Sequence, residues 1–273
     1  MKNFVFLFVL LFTFQAFSQR KPKIKGNKEV IDVYQELPPF HAIELRDDLE
    51  IKLHDSSEEG VSITADDNLI DVLRFRVQDS VLQISSYYNI TRKKKLEIVV
   101  NYIYLEAITM YDGDITMDGV INAKDLHVDL HESSKLDLNA DAEVFNINME
   151  GNSSGEFNLK GQEINLVLKD RIDVKVFGNS DLSNVKLYKN ATAILEGTAY
   201  ELYANLFENS KLKSEKLEAE AVYLTIEESA TADVHPTKTI QLTSSGSART
   251  HLYGEAKVEI LDFLDTSELH KEK

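Results

Sequence analysis

Hydrophobic residues recur along most of this chain in a pattern that repeats about every nineteen residues. A fixed period of this length is typical of solenoids, in which each repeat forms one coil and buries its apolar face against its neighbours. The pattern therefore predicts a stack of about eight coils. The aligned copies begin at Leu105, Leu126, Phe145, Ile164, Ser183, Leu202, Val222 and Ile240.

Within each copy, apolar and polar residues alternate, which indicates strands. The first, third and fifth positions of a copy are mostly apolar, as in Phe145, Ile147 and Met149. Alternation with a period of two places such side chains on one face of a strand. Helical repeats need an apolar spacing near 3.6 residues and are usually longer than about 30 residues. We therefore predict an all-β fold.

The position eight residues after the start of each copy is small in seven copies, which indicates a corner over a crowded interior. These residues are Gly113, Ser134, Ser153, Ala191, Ser210, Ala230 and Ala248, and Ile172 is the exception. Glycines fourteen residues after the start, such as Gly178 and Gly197, predict a second turn. The pattern therefore predicts a parallel β-helix. We expect a right-handed coil, because crossovers between parallel strands are overwhelmingly right-handed.

The residues before the repeats predict two different segments. Residues 1–18 have a basic start, an apolar run and small residues before a cleavage point, which predicts a secretory signal peptide. Residues 19–35 are basic and contain Gly and Pro, so we expect a flexible lead. An exported protein would then lie in the periplasm, on the cell surface or in the medium.

The remaining regions complete the predicted domain. Residues 36–104 alternate irregularly and predict strands that cap one end of the β-helix, with a hairpin around Asp79-Ser80. The repeated coils span 105–264, and residues 265–273 form a polar tail. A β-helix has two open ends, and bare strand edges recruit other chains, so a cap is expected.

Composition narrows the function classes. The chain of 273 residues has a formal net charge of −16, which argues against nucleic acid and anionic membranes as partners. It contains no Cys, so stability must come from the core without disulfides. After the signal sequence, no stretch reaches the roughly 18 apolar residues of a membrane span. The basic run Arg92–Lys95 is expected to be a solvated loop.

Several short motifs occur in a fixed order over about residues 36–262. They include Phe40–Leu45, Asp67–Ile70, Val81–Ile84 and Leu96–Val100. Together with the repeated corners, they resemble the putative auto-transporter adhesin head domain, also called the GIN domain. The resemblance implies a right-handed β-helix outside the cytoplasm of a Bacteroidota-type bacterium.

A catalytic site would need clustered carboxylates in a cleft, as in β-helical polysaccharide lyases and hydrolases. The nearest candidates are Asp112, Asp114 and Asp118, which could hold a cation or form a polar corner. His127 and His131 lie about 13 Å apart on a strand, four rises of 3.3 Å, so one zinc ion cannot bridge them. We therefore predict no catalytic residue, metal ligand or cofactor.

Acidic residues recur six residues after the start of several copies. They are Glu132, Asp170, Glu208 and Glu228, and Lys189 and two glycines interrupt the series. Either a binding site or the need to keep like charges apart would explain this spacing.

The best candidate contact surface combines Tyr203 and Tyr223, which occupy the same outward position in adjacent copies, with Asn205 and Thr225. A purely structural ladder is the alternative, because outward Asn residues precede the tyrosines in the same column. The segment Asp79-Ser80-Val81 matches a short acceptor pattern for O-glycosylation, so Ser80 is a candidate modification site.

The sequence thus predicts a non-catalytic exported β-helix that acts as a binding, adhesion-like or envelope-structural module. A glycan or an envelope protein is the expected partner, and self-association is left open. The alternative is an extracellular polysaccharide-active enzyme. A polar wall of side-chain ladders would favour the first hypothesis, and a groove lined by converging carboxylates the second.

Overall fold

The computed structural model describes residues 21–273 and shows an all-β molecule with one short helix. The predicted signal peptide, residues 1–18, lies outside the described residues. Within the described part, no helix combines the length and the apolar character that a membrane span requires. The strands are β1 Lys23–Lys25, β2 Val30–Glu36, β3 Ala42–Leu45, β4 Glu50–Asp55, β5 Gly60–Asp66, β6 Leu73–Gln78, β7 Val81–Ser86, β8 Asn89–Arg92, β9 Leu96–Tyr102, β10 Ala107–Met110, β11 Asp114–Asp118, β12 Ile121–Leu130, β13 Lys135–Met149, β14 Ser154–Lys160, β15 Glu163–Leu168, β16 Asp173–Leu187, β17 Thr192–Leu206, β18 Lys211–Ile226, β19 Thr231–Ser244, β20 Arg249–Leu252, β21 Lys257–Phe263 and β22 Glu268–Lys271, and helix α1 is Asp67–Ile70.

Equivalent strands of successive repeats pair in parallel, so equivalent residues stack directly. Val128 pairs with Ile147, Ile147 with Leu166, and Leu166 with Val185. All four side chains are buried in one continuous core. This confirms the predicted parallel β-helix. The solenoid has about nine turns instead of the eight predicted. Strands β3 and β4, which precede Leu105, pair in parallel with β10 and β11. Strands β7 and β9 in turn pair in parallel with β3 and β4.

The predicted corner is a column of residues with left-handed backbone. The small residues of that corner, such as Ser134 and Ala191, are fully buried behind it. The acidic residues six residues after the start of a copy therefore lie at a backbone turn. The left-handed residues are Glu132, Gly151, Asp170, Lys189, Glu208, Glu228, Gly246 and Asp265.

The second turn predicted by the glycines is present at Gly119 and Gly254, which lie between strands at φ values of 108° and 73°. At Gly178 and Gly197 the prediction of a turn is wrong, because strand pairing continues through both residues. Gly178 and Gly197 are directly paired inside β16 and β17. A Cβ atom on Gly197 would lie 2.1 Å from the carbonyl oxygen of Gly178. Glycine is therefore needed here for close backbone approach within a bent strand.

The N-terminal end of the solenoid is closed by antiparallel strands. Strand β6 pairs with β7 on one wall, and β5 lies between β2 and β9 on the other. Val61, Ile63 and Leu69 bury their side chains under this layer. The predicted hairpin is confirmed, and its turn places Asp79 and Ser80 at φ values of 52° and 61°.

The lead expected to be flexible over residues 19–35 is instead built into the cap across its described part, 21–35. Strand β2 pairs with β5 over its full length of seven residues. Strand β1 pairs in parallel with β8. Both pairings join segments that are far apart in sequence. The local composition of the lead therefore could not predict that it forms strands.

The C-terminal end is open by contrast. Strand β21 is exposed at all seven positions, although Val258 and Ile260 pair with the buried residues Ile240 and Leu242 of β19. Val258, Ile260 and Phe263 are 38%, 50% and 40% exposed. The expected polar tail, 265–273, contains β22, which continues the wall by pairing with β20. Nothing in the described part covers this last turn.

Candidate functional site

Tyr203 and Tyr223 lie at directly paired positions of β17 and β18. Their ring centroids are 4.3 Å apart and the rings are inclined by only 10°. Paired residues in a sheet are about 4.8 Å apart, which is close to the stacking distance of aromatic rings. The register of the solenoid therefore stacks these two rings on its outer wall, and Tyr203 is 36% exposed.

Asn205 and Thr225 form the next outward pair on the same strands. Both are half-buried, so their polar groups flank the tyrosines without being enclosed. We call Tyr203, Tyr223, Asn205 and Thr225 the tyrosine patch. The structure brings all four predicted residues together on one wall.

The hydroxyl of Tyr203 donates a hydrogen bond to Glu201 Oε2 at 3.3 Å. Partial burial, together with the nearby carboxylate of Glu201, raises the pKa of Tyr203. Like any tyrosine hydroxyl, it is protonated at neutral pH and can donate a hydrogen bond. A ladder of asparagine amides leads to this patch, in which Asn184 donates to Asn165 at 2.8 Å and Asn165 donates to Asn146 at 3.2 Å.

A second outward ladder, which the sequence analysis missed, follows the left-handed corner. We call it the corner ladder; its members are Tyr111, His131, Glu150, Lys169, Tyr188 and Phe207. Tyr111 stacks on His131 at 5.1 Å, and Tyr188 stacks on Phe207 at 5.1 Å. His131 Nδ1 lies 2.6 Å from Glu150 Oε1. All of these residues except Tyr111 directly precede a left-handed residue. They therefore occupy the same position in successive copies, and this position could have revealed the ladder in the sequence.

The three carboxylates proposed as a cation site have separate roles. Asp112 Oδ1 accepts a hydrogen bond from the next backbone N–H at 2.9 Å. Asp118 forms an ion pair with Lys52. Burial raises the pKa of Asp114. Within residues 21–273, no group of three or more His, Asp or Glu side chains is arranged to hold a metal ion.

The two histidines considered as zinc ligands also lie in different environments. His127 pairs with Asn146 on the wall, whereas His131 lies at the corner and stacks on Tyr111. Ser80 lies in the exposed hairpin turn, where its carbonyl oxygen accepts a hydrogen bond from the His41 N–H at 2.9 Å. The hydroxyl of Ser80 thus sits on an accessible turn, and its O-glycosylation stays a prediction.

Comparison with protein families gives a match over most of the solenoid. The model of the family described as "Putative auto-transporter adhesin, head GIN domain" matches residues 39–170 and 149–256. The chain belongs to this family. The match confirms the resemblance drawn from the motifs. It covers the tyrosine patch, the corner ladder and the part of the cap from residue 39 onward in this GIN-domain protein. A comparison with curated proteins finds no match.

Solved structures support the fold of the GIN-domain protein. A putative adhesin from Parabacteroides merdae ATCC 43184 is 17% identical with a TM-score of 0.70, and the match covers 92% of this chain and 100% of that one. A putative adhesin from Parabacteroides distasonis ATCC 8503 is 14% identical with a TM-score of 0.69, covering 91% and 99%. A putative lipid binding protein from the latter organism is 17% identical with a TM-score of 0.60, covering 92% and 100%. At these identities the likeness shows the fold alone.

Proposed function

We propose that this GIN-domain protein is a non-catalytic, adhesion-like binding module outside the cytoplasm, and that its tyrosine patch contacts a glycan. The observation that carries the proposal is the stacked pair formed by exposed Tyr203 and half-buried Tyr223 on a rigid wall. The pattern of residues 1–18 supports export. The family description and the names of the similar structures support an adhesive role.

The patch has the mixed chemistry that sugar recognition requires. Tyrosine offers a flat apolar body with a polar hydroxyl at its end. The amide of Asn205 and the hydroxyl of Thr225 lie beside the rings and can exchange hydrogen bonds with sugar hydroxyls. The wall itself is fixed by continuous strand pairing between β17 and β18 around the patch. Little ordering is therefore needed when a ligand binds, which favours affinity.

Glycan-array binding tests this proposal. We expect the intact protein to bind a subset of glycans, and the double variant Tyr203→Ala/Tyr223→Ala to bind them at least about tenfold more weakly, a loss of about 1.4 kcal/mol. The matched control is Tyr188→Ala/Phe207→Ala, which removes the other stacked pair from the corner ladder. Circular dichroism verifies that both variants fold. No glycan binding by the intact protein, or an equal loss in the control, would contradict the proposal.

One observation favours the enzyme alternative enough to give it a specific test. A depression of about 400 Å³ on the N-terminal part of the wall is lined by Glu50, Asp114, Asp137 and Lys135, among others. A general acid needs a raised pKa, and burial raises the pKa of Asp114. If the protein degrades polysaccharides, Asp114→Asn should abolish the release of reducing ends. Release that persists in Asp114→Asn would exclude this depression as the catalytic site.

A further inference from the structure

The N-terminal end of the molecule gathers positive charge from two segments that are distant in sequence. Strand β1 pairs in parallel with β8, and this pairing aligns Lys23 with Asn89 and Lys25 with Arg92. The basic lead therefore lies beside the basic run Arg92–Lys95, which begins at the last residue of β8. We call the resulting surface the basic end patch. Its members are Lys23, Lys25, Lys28, Arg92 and Lys94, all of which are exposed.

The patch surrounds a depression of about 700 Å³. Four of its members, Lys25, Lys28, Arg92 and Lys94, line this depression together with Lys93. The positive charges thus converge on a concave surface instead of spreading over a convex one. A low-dielectric wall with one sign of charge concentrates counter-ions in such a recess.

The members of the patch lack anionic partners. Among residues 21–273, none of the five has a carboxylate within ion-pair distance, whereas neighbouring Lys93 pairs with Glu50 at 3.1 Å. Elsewhere on the solenoid many lysines are paired, as Lys160 is with Asp141 at 3.2 Å. The patch therefore brings five cations without a carboxylate partner together at one place in a chain with a net charge of −16.

The backbone beneath the patch is held by a buried carboxylate. Asp66 is fully buried, and its carboxylate accepts hydrogen bonds from the N–H groups of Lys94 at 3.0 Å and Lys95 at 3.3 Å. Gly26 joins the two basic segments, because its N–H donates to the carbonyl oxygen of Arg92 at 2.8 Å. A side chain at Gly26 would collide with Asp66, since its Cβ would lie 1.8 Å from Oδ2. The cationic side chains therefore project from a fixed scaffold.

We propose that the basic end patch binds an anionic glycan that carries sulfate or uronate groups. Arginine offers a planar fork that matches a carboxylate or sulfate, and the lysines add strongly attractive point charges. A narrow glycan chain can follow the depression and contact these cations without meeting a carboxylate, because no acidic residue lines it. A flat anionic bilayer would also face the acidic remainder of the molecule. At physiological salt, charges more than about 8 Å away are largely screened, so remote carboxylates do not cancel the attraction. Asp66 lies close beneath the patch, but its single carboxylate is buried, accepts hydrogen bonds from the Lys94 and Lys95 N–H groups and is outnumbered by the five cations.

The patch lies on the cap, and the tyrosine patch lies on β17 and β18 of the solenoid wall. The inference therefore does not depend on the function proposed for the tyrosines. It also changes the interpretation of the run Arg92–Lys95, which the sequence analysis treated as a solvated loop. The negative net charge of the chain argues against polyanions as partners of the whole surface. At the N-terminal end, however, the local charge is positive, so an anionic partner can bind there.

Calorimetric titration with heparin oligosaccharides tests the inference, and neutral dextran serves as the uncharged probe. We expect Lys25→Gln/Lys28→Gln/Arg92→Gln/Lys94→Gln to bind heparin at least about tenfold more weakly than the intact protein, with binding that weakens as salt rises. The single change Arg92→Gln should act in the same direction, so the test survives if the quadruple variant fails to fold. The matched control changes four exposed lysines on the walls, which have no carboxylate within ion-pair distance in the described part: Lys124→Gln/Lys186→Gln/Lys211→Gln/Lys213→Gln.

The control should bind heparin like the intact protein, and so should Tyr203→Ala/Tyr223→Ala. Heparin affinity that is unchanged in the patch variant and in Arg92→Gln would overturn the inference. An equal loss in the wall-lysine control, or in the tyrosine variant, would overturn it as well. Binding to phosphatidylglycerol vesicles but not to heparin would replace the glycan with a membrane surface.

Discussion

The two ends of the described solenoid differ in whether antiparallel strands cover their outermost coil. At the N-terminal end, β5 pairs antiparallel with β2 and β9, and α1 follows β5. Apolar side chains such as Ile63 and Leu69 are therefore buried. At the C-terminal end of the described residues, β21 and β22 pair on one side only. There Ile260 is 50% exposed, although its paired neighbour Leu242 is completely buried.

This difference shows that the repeat pattern specifies stacking, whereas the cover of the N-terminal end is built by antiparallel strands outside the repeat. A coil with the right alternation pairs with the coil before it whether or not another follows. A cap needs structural features that the repeat lacks. Here these features are antiparallel strands and the buried carboxylate of Asp66. Stability should accordingly depend on the end at which a contact is removed.

The largest difference is expected from matched core truncations at the two ends. Ile98 lies in β9 under the cap and is 2% exposed, whereas Ile260 is 50% exposed. We expect Ile98→Ala to lower the free energy of unfolding by about 2–5 kcal/mol, because it leaves a cavity. Ile260→Ala should lower it by less than about 1 kcal/mol, because much of that side chain already contacts water. Urea denaturation measures both, and equal losses would refute the contrast between the ends.

A smaller effect is expected from the carboxylates that hold each end. Asp66→Ala would leave the N–H groups of Lys94 and Lys95 without their buried acceptor, at a cost of about 1–3 kcal/mol. At the open end, Asp265 accepts a hydrogen bond from the Gly246 N–H at 2.9 Å, but this site is exposed. Asp265→Ala should therefore cost less than about 1 kcal/mol. Thermal unfolding of the two variants compares them, and a larger loss in Asp265→Ala would reverse the expected order.

A stabilising change is expected away from both ends, at the left-handed corner. Glu132 has a φ of 50°, which an L-residue adopts at a cost of about 1 kcal/mol. Glu132→Gly should therefore raise the free energy of unfolding by about 1 kcal/mol, while Glu132→Ala should leave it nearly unchanged. Urea denaturation can resolve this difference. Destabilisation by glycine would show that the side chain of Glu132 contributes more than its backbone strain costs.

The smallest effect is expected from one titrating group near the open end. Burial raises the pKa of Asp233, although the nearby His251 opposes this shift. The folded state therefore binds this proton more tightly than the unfolded state, and ionised Asp233 destabilises the fold above its folded pKa. Asp233→Asn should stabilise the protein slightly at pH 7, and this gain should vanish as pH falls below the unfolded pKa, near 4. A gain that is constant with pH would exclude this cause.

Much of the solenoid could be predicted from the sequence because stacking aligns residues of the same kind. The inward columns through Ile147 and Leu166, and the small corner column through Ser134 and Ala191, are buried as expected. The tyrosine patch was also predictable, because the constant register places Tyr203 beside Tyr223. A periodic fold therefore reveals which residues of neighbouring coils are in contact.

The cap could not be predicted in this way. Strand β2 is held in the cap by backbone pairing with β5. Six of its seven residues are exposed, so its sequence shows no clear alternation of apolar and polar residues. The basic end patch joins Lys25 to Arg92, and no repeat relates the two positions. Non-periodic contacts of this kind become visible only in the folded structure.

The position of the antiparallel layer has a consequence for how the molecule is assembled during synthesis. A polypeptide leaves the ribosome with its amino end first, and domains fold in that order. The closed end of this protein is complete in sequence by residue 102, where β9 ends. We expect it to serve as a template onto which each later segment docks as it emerges, so that growth proceeds in one direction. Nascent chains arrested at increasing lengths should then gain protease resistance in increments of about one turn.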